Sequence, residues 1–446
     1  MATTRSRHGR TAPTAARDGS APVGRARQRA FAVAVTPGEG DLAELQELLR
    51  TAGVATVGTM VQRRERPHPN TYVGPGKLEE LKEAAQAADA NVVACDDELS
   101  PRQGRSLEEA LGMPVIDRTA IILDIFAGHA HSAEGKLQVE LAQLEYNLAR
   151  MRGLWTHLER LGAGAGAAAG GPGIGTRGPG ESQLETDRRL ARDRISALRR
   201  RLERVKGSRK TMRAERERAS LPTVALVGYT NAGKSTLLNA LTGAEVGVRD
   251  RLFHTLDPTT RAWRLGGRDH LLTDTVGFIR KLPHQLVDAF GATLEETKDA
   301  DLLLHVVDAS APEEELREMV RAVEEVLREI GADPLPRLLV LNKADALGAE
   351  AREDVRLRHP DGALVSGLTG EGLEALGERI EAEFARSLHD VELLLPYEEG
   401  GRLAELHELA GDLLREDTPT GVRVKARLPA ATAARFERYA VNGRPS

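Results

Sequence analysis

With 446 residues, a single cysteine (Cys95) and no apolar run of membrane-spanning length, the chain excludes an intramolecular disulfide, a cysteine-cluster zinc site and a helical membrane span. No apolar stretch follows the N-terminal arginines, so no secretory signal is read there, and a cytoplasmic protein of several domains is expected. The net charge of −5 is segregated: residues 1–30 sum to +6, residues 181–220 to +7 and the remainder to −18, which suggests a polyanionic partner for one part of the molecule.

Residues 1–28 read as a disordered basic tail. From there "AFAVAV", "ATVGTMV" and "NVVAC" have strand character, alternating with "DLAELQELLRTAG", "GKLEELKEAAQAA" and "RQGRSLEEALG" as amphipathic helices. This predicts a small α/β domain over 29–130, with Cys95 as a buried strand residue. "YVGPGKLEEL" puts glycines before a helix, but its spacing is not that of a phosphate loop and it reads as a plain strand-to-helix turn.

Residues 131–208 change character. Leu137, Leu141, Leu144, Leu148, Met151, Leu154 or Trp155, and Leu158 recur at steps of three and four, as do Ala191, Ile195, Leu198, Leu202 and Val205. Two such stripes around one loop predict an antiparallel helical hairpin, its first helix about 25 residues and ~37 Å long. The loop, Gly162 to Glu181, is glycine-rich and longer than a connector requires, and it carries Arg177 at its tip. It reads as a probe, with the basic second helix supplying charge to hold it on a phosphate surface. Candidate RNA contacts are Gly175, Thr176, Arg177, Gly178, Pro179, Gly180, Glu181, Arg188 and Arg189. Residues 209–220 read as a charged linker.

Residues 221–388 alternate apolar strands with helices, as a doubly wound, mostly parallel sheet does. "GYTNAGKST", from Gly228 through Tyr229, Thr230, Asn231, Ala232, Gly233, Lys234 and Ser235 to Thr236, matches GxxxxGK[ST] between a strand and a helix. Backbone N–H groups of such a loop cradle phosphates, Lys234 reaches the β- and γ-phosphates, and Ser235 ligates Mg²⁺. Asp274 ends the next apolar strand, where a carboxylate holds Mg²⁺ through water, and Thr275, Val276 and Gly277 follow at γ-phosphate distance. "NKAD", which is Asn342, Lys343, Ala344 and Asp345, reads the base: a carboxylate suits guanine's two adjacent donors and would be left unpaired by adenine. Ser366, Gly367 and Leu368 then face the guanine carbonyl. Together these select GTP. The first switch lies between Thr236 and Asp274, where Thr255, Thr259 and Thr260 compete for the metal. Phe278 stands where Ras-like hydrolases carry a water-orienting glutamine. Residues 389–446 read as a small α+β domain.

The segments "LQVELAQLEYNLARMRG", "GIGTRGPGESQLETDRR", "GYTNAGKSTLLNALTG", "FHTLDPTTR", "DTVGFIRKLPHQLVDAF" and "NKAD" resemble the HflX family of translation-factor-related GTPases, over roughly residues 30–390. The resemblance places Phe253, His254, Thr255, Leu256 and Asp257 in the first switch, with Thr255 on Mg²⁺ and His254 where the family has Ala. The Ala/Gly run 162–171 lies outside the family pattern. The resemblance implies a GTPase that binds the large ribosomal subunit and its RNA and splits stalled ribosomes under stress; the free protein is expected to be a monomer. The resemblance also implies that Phe278 replaces the catalytic glutamine, with Lys234, Asn231 and a K⁺ ion as candidate contributors. Other classes stay open: an RNA-binding assembly factor without splitting activity, or a switch acting on a protein partner.

Overall fold

The computed structural model describes residues 28–38, 40–164, 179–219, 221–244, 252–253, 255–281, 283, 286, 291–386, 388–410 and 413–441. Of residues 151–164, 179–184, 206–219, 291–293, 408 and 429–431 it describes the backbone alone. The expected tail therefore lies outside the described residues.

The N-terminal unit runs β1 (Arg29–Thr36), α1 (Ala43–Thr51), β2 (Ala55–Arg63), α2 (Pro75–Ala87), β3 (Val92–Cys95), α3 (Pro101–Leu111), β4 (Val115–Asp117) and α4 (Arg118–His129). Its strands form a parallel sheet of order β2-β1-β3-β4. β1 is buried through its middle on both faces, which is why it reads as an unbroken apolar run. Cys95 is buried, as expected.

The hairpin is α5 (Ala133–Gly164) and α6 (Pro179–Ala219). Leu137, Leu141, Leu144 and Leu148 of α5 pack on Ile195, Leu198 and Leu202 of α6, and the ion pairs Glu140–Arg194 and Glu145–Arg199 flank that seam. Met151, Leu154, Trp155 and Leu158 lie outside the described side chains. Two expectations change. Both helices run further than expected, the first to Gly164 and the second from Pro179, whose missing N–H costs nothing at the first helical position; residues 165–178 lie outside the described residues. Residues 209–219 of the expected charged linker are helical, because α6 continues to Ala219; the helix-favouring Arg, Lys, Met, Ala and Glu there outweigh Gly207.

The next unit holds β5 (Thr223–Gly228), α7 (Lys234–Thr242), β6 (Thr259–Leu265), β7 (Arg268–Asp274), α8 (Gly291–Lys298), β8 (Leu302–Asp308), α9 (Glu313–Glu329), β9 (Arg337–Asn342), α10 (Ala349–Arg358), β10 (Ala363–Leu364) and α11 (Leu373–Arg386). Its six-stranded sheet has the order β10-β9-β8-β5-β7-β6, parallel except for the β6–β7 hairpin. β6 has no counterpart in the sequence reading: it is an edge strand, half exposed, with charged residues between its apolar ones. The last unit holds β11 (Leu388–Leu395), α12 (Gly400–Ala410), β12 (Leu413–Thr418), β13 (Gly421–Pro429) and α13 (Ala430–Arg435), with sheet order β11-β13-β12.

One apolar cluster crosses from the first unit to the third. Ile121 and Phe126 of α4 and Val139 and Ala142 of α5 are buried together with Phe253, Leu256, Phe278 and Ile279. The surroundings of the phosphate loop are therefore built partly by the N-terminal unit.

Candidate functional site

Phosphate-loop geometry follows from where glycine is required. A Cβ on Gly228 would lie 2.1 Å from the Val306 carbonyl oxygen, and one on Gly233 (φ +89) would lie 2.3 Å from Asn342 Nδ2. The loop thus folds tightly between β5 and α7, and Asn231 within it takes φ +61. Lys234 is buried, its Nζ donating to the Gly228 carbonyl at 3.0 Å and the Tyr229 carbonyl at 2.9 Å. Burial pushes its pKa down to about 8, against the pull of Asp274.

Asn342, at the end of β9, joins the loop to the segment after β10: its Nδ2 donates to the Ala232 carbonyl at 2.9 Å, and its Oδ1 accepts the Gly367 N–H at 3.0 Å. The Ser366 hydroxyl donates to Asp345, and the Lys343 ammonium sits 2.6 Å from Asp308. Ala344 is buried beneath this corner, and Leu368 is exposed beside it.

Three oxygen-bearing side chains converge at the start of α7. Ser235 Oγ lies 2.9 Å from Thr255 Oγ1 and donates to Asp274 Oδ2 at 2.6 Å. Asp274 is fully buried, and its other oxygen, Oδ1, has no hydrogen-bond partner. Burial raises its pKa, while Lys234 and the Ser235 hydroxyl pull it back. A buried, half-satisfied carboxylate beside two hydroxyls is a hard-oxygen set that fits Mg²⁺. Of the three competing threonines, Thr259 and Thr260 lie in β6, where Thr260 pairs with Thr273, and Thr255 reaches this cluster. Phe253, Leu256 and Asp257, grouped with Thr255 from the sequence, turn their side chains elsewhere. Phe253 and Leu256 enter the interdomain cluster, and Asp257 bonds to the start of α5. His254 lies outside the described residues.

After Asp274 the chain is pressed onto the phosphate loop. Thr275 Oγ1 donates to the Leu226 carbonyl at 2.7 Å. A Cβ on Gly277 would lie 2.9 Å from Thr230 Cα, so glycine allows that approach. The Thr230 N–H donates to the Phe278 carbonyl at 2.7 Å, and the Phe278 N–H to the Gly228 carbonyl at 3.1 Å. Phe278 is wholly buried beside Val276 and Ile279, so its ring can hold no water.

Sequence reasoning missed the network beyond it. Tyr229 OH donates to Glu44 of α1 and accepts the Arg280 N–H at 2.8 Å; Arg280 Nε lies 3.0 Å from Glu44. Arg118, buried at the start of α4, pairs with Glu44 and Asp96 and donates to the Arg280 carbonyl at 3.0 Å. Lys281 pairs with Asp97 at 2.6 Å and Asp96 at 3.1 Å. No local pattern links these residues; a lone signal was "DD" at 96–97 ending an apolar strand.

Of the RNA-contact candidates, Gly175, Thr176, Arg177 and Gly178 lie outside the described residues. Pro179, Gly180 and Glu181 form the first turn of α6; further along it Arg188 is half-buried and Arg189 exposed. No helix among the described residues is long and apolar enough to cross a membrane.

Three family models match in succession: the N-terminal region of GTP-binding GTPases over residues 39–127, their middle region over 129–216, and a 50S ribosome-binding GTPase over 223–343. The GTPase HflX of Lacrimispora saccharolytica is 48% identical over 410 residues, covering 90% of this chain and 94% of that protein. The GTPase HflX of Escherichia coli K12 is 47% identical over 395 residues, covering 86% and 89%. Among solved structures, a GTP-binding protein from Sulfolobus solfataricus in complex with GDP is 27% identical, covering 79% of this chain and 98% of that one, with a TM-score of 0.40.

Proposed function

Since the chain belongs to the HflX family of GTPases, we propose that its GTP cycle drives docking on the large ribosomal subunit and separation of stalled ribosomes, with hydrolysis resetting the protein. The observation that carries this is the placement of the helical arm: α5 begins where the Thr255–Asp257 segment ends, and α6 leads back to β5. A change at the triphosphate is therefore one contact away from a two-helix lever whose basic second helix suits a phosphate surface.

In the proposed site, backbone N–H groups from Asn231 to Thr236 cradle the phosphates, with Tyr229 and Thr230 beside them. Lys234 exchanges its two carbonyl partners for phosphate oxygens. Asp345 accepts from guanine, Ser366 to Leu368 line the base, Lys343 lies along it, and Asn342 locks the loops together. Ser235 and Thr255 would hold Mg²⁺ directly and Asp274 through water; when bound, the ion would neutralise phosphate charge. With Phe278 buried, the attacking water is placed by groups that arrive with the ligands: a K⁺ ion at Asn231 and the ribosome itself. Turnover in K⁺ should then exceed turnover in Na⁺, and Asn231→Ala should erase the difference; equal rates in the two wild-type assays would remove the cation.

Sedimentation of intact ribosomes with the protein tests the ribosomal reading. A non-hydrolysable GTP analogue should shift ribosomes to free subunits, with the protein on the large one, and GDP should not. Binding to whole ribosomes without dissociation would favour the assembly-factor reading instead.

A further inference from the structure

Asp257 stands two residues after Thr255, yet its carboxylate is engaged with α5. It accepts the backbone N–H of His131 at 3.0 Å, that of Ser132 at 2.7 Å, and the Ser132 hydroxyl. Ser132 Oγ accepts the Gly135 N–H at 2.8 Å and the Ser132 carbonyl accepts the Lys136 N–H at 3.1 Å, so Ser132 is the N-cap of α5. Asp257 adds a negative charge where a 32-residue helix presents its open N–H groups. Glycine permits the approach: a Cβ on Gly135 would lie 2.5 Å from Asp257 Oδ1.

On the other side of Thr255, the Phe253 ring meets Phe126 of α4 edge-on, centroids 4.7 Å apart, at φ +55. Thr255 therefore hangs between two anchors, both in the N-terminal unit and the arm. Its hydroxyl already lies at Ser235.

We propose that Asp257 is a positioning residue: its bond to the N-terminus of α5 holds Thr255 in the triphosphate-bound arrangement, so that GTP occupancy and the seating of the arm are one equilibrium. The proposal rests on the reading of Thr255 as the switch threonine. Coupling of this kind is reciprocal. Whatever seats α5 tightens GTP and leaves GDP nearly unchanged, because GDP lacks the γ-phosphate that Thr255 serves. Conversely, loss of that phosphate frees the start of the arm.

Titrations of a non-hydrolysable GTP analogue and of GDP into the full chain test this. The variants are Ser132→Ala, Gly135→Ala, Asp257→Ala, the Ser132→Ala/Asp257→Ala double, and Thr255→Ala as reference. Each single variant should weaken the analogue about tenfold and GDP less than about twofold, and the double should bind no more weakly than Asp257→Ala. Retained GDP binding shows that each variant keeps its phosphate loop, and Ser132→Ala covers the case in which Gly135→Ala fails to fold. Equal losses for both nucleotides, or additive losses in the double, would overturn the coupling. Sensitive Thr255→Ala beside insensitive Ser132→Ala and Gly135→Ala would overturn it alone, while insensitive Thr255→Ala would overturn the reading of Thr255 as well.

Discussion

His305 sits in the middle of β8, paired in register with Val227 just before the phosphate loop, and is 3% exposed. Its Nε2 has no hydrogen-bond partner. Burial, helped by Arg337 and Lys234, pushes its pKa from 6.5 down to about 4. Between those values the unfolded chain takes up a proton that the folded chain refuses. Stability contributed here is thus intact above pH 6.5 and is lost as pH falls towards 4, by up to about 1.4 kcal/mol per unit. His305→Leu should flatten the acid side of the melting-temperature profile relative to wild type; parallel profiles would mean that His305 titrates normally. Other buried polar groups of the site differ in kind, because nucleotide and metal are expected to satisfy them: Asp274 Oδ1 and Thr230 Oγ1 are both without a hydrogen-bond partner here.

At the scale of elements, α5 carries two apolar faces. Leu137, Leu141, Leu144 and Leu148 face α6, while Val139, Ala142 and Tyr146 face the N-terminal unit. Tyr146 OH donates to Asp117 at 2.6 Å, and Arg150 both pairs with Asp117 and stacks over the Tyr146 ring. The base of the arm is therefore fixed by packing and by a buried carboxylate, independently of the glycine-rich segment. Replacing residues 165–178 by a short turn should leave the helices paired and intrinsic GTP turnover unchanged. It should keep a salt-sensitive residual ribosome affinity through α6 and abolish splitting as followed by light scattering. Wild-type splitting by this variant would reduce the segment to a connector.

At the scale of the molecule, the N-terminal unit grips the chain after Asp274 through acids on α1 and after β3. Arg118 is at its centre, 2% exposed; burial lowers its pKa to about 10, so it stays charged at neutral pH. Removing one partner from such a buried set strands the others and costs about 3 kcal/mol or more. Arg118→Met should separate the N-terminal and nucleotide-binding units in calorimetry, the former melting earlier. A single transition unchanged from wild type would show that the apolar cluster alone joins them.

What the sequence determined by itself was whatever is contiguous. The GxxxxGK[ST] stretch lies between one strand and one helix, NKAD follows one strand, and the heptad stripes lie on single helices; each carries its own pattern. The sequence reading missed β4, an edge strand of three residues, and β6 and β12, exposed edge strands that alternate too weakly, and it misjudged the end of α6, where no breaker was strong enough to stop a helix. Spacing left three threonines in competition; family resemblance favoured Thr255, and the fold brings Thr255 to Ser235 by sending the other two into β6. Only the tertiary structure could decide what holds the segments around Thr255 and after Asp274. Glu44 meets Arg280 across 236 positions and Asp257 meets His131 across 126. Such contacts arise from how two sheets and a long helix are packed together, and they leave no periodic trace in the chain that makes them.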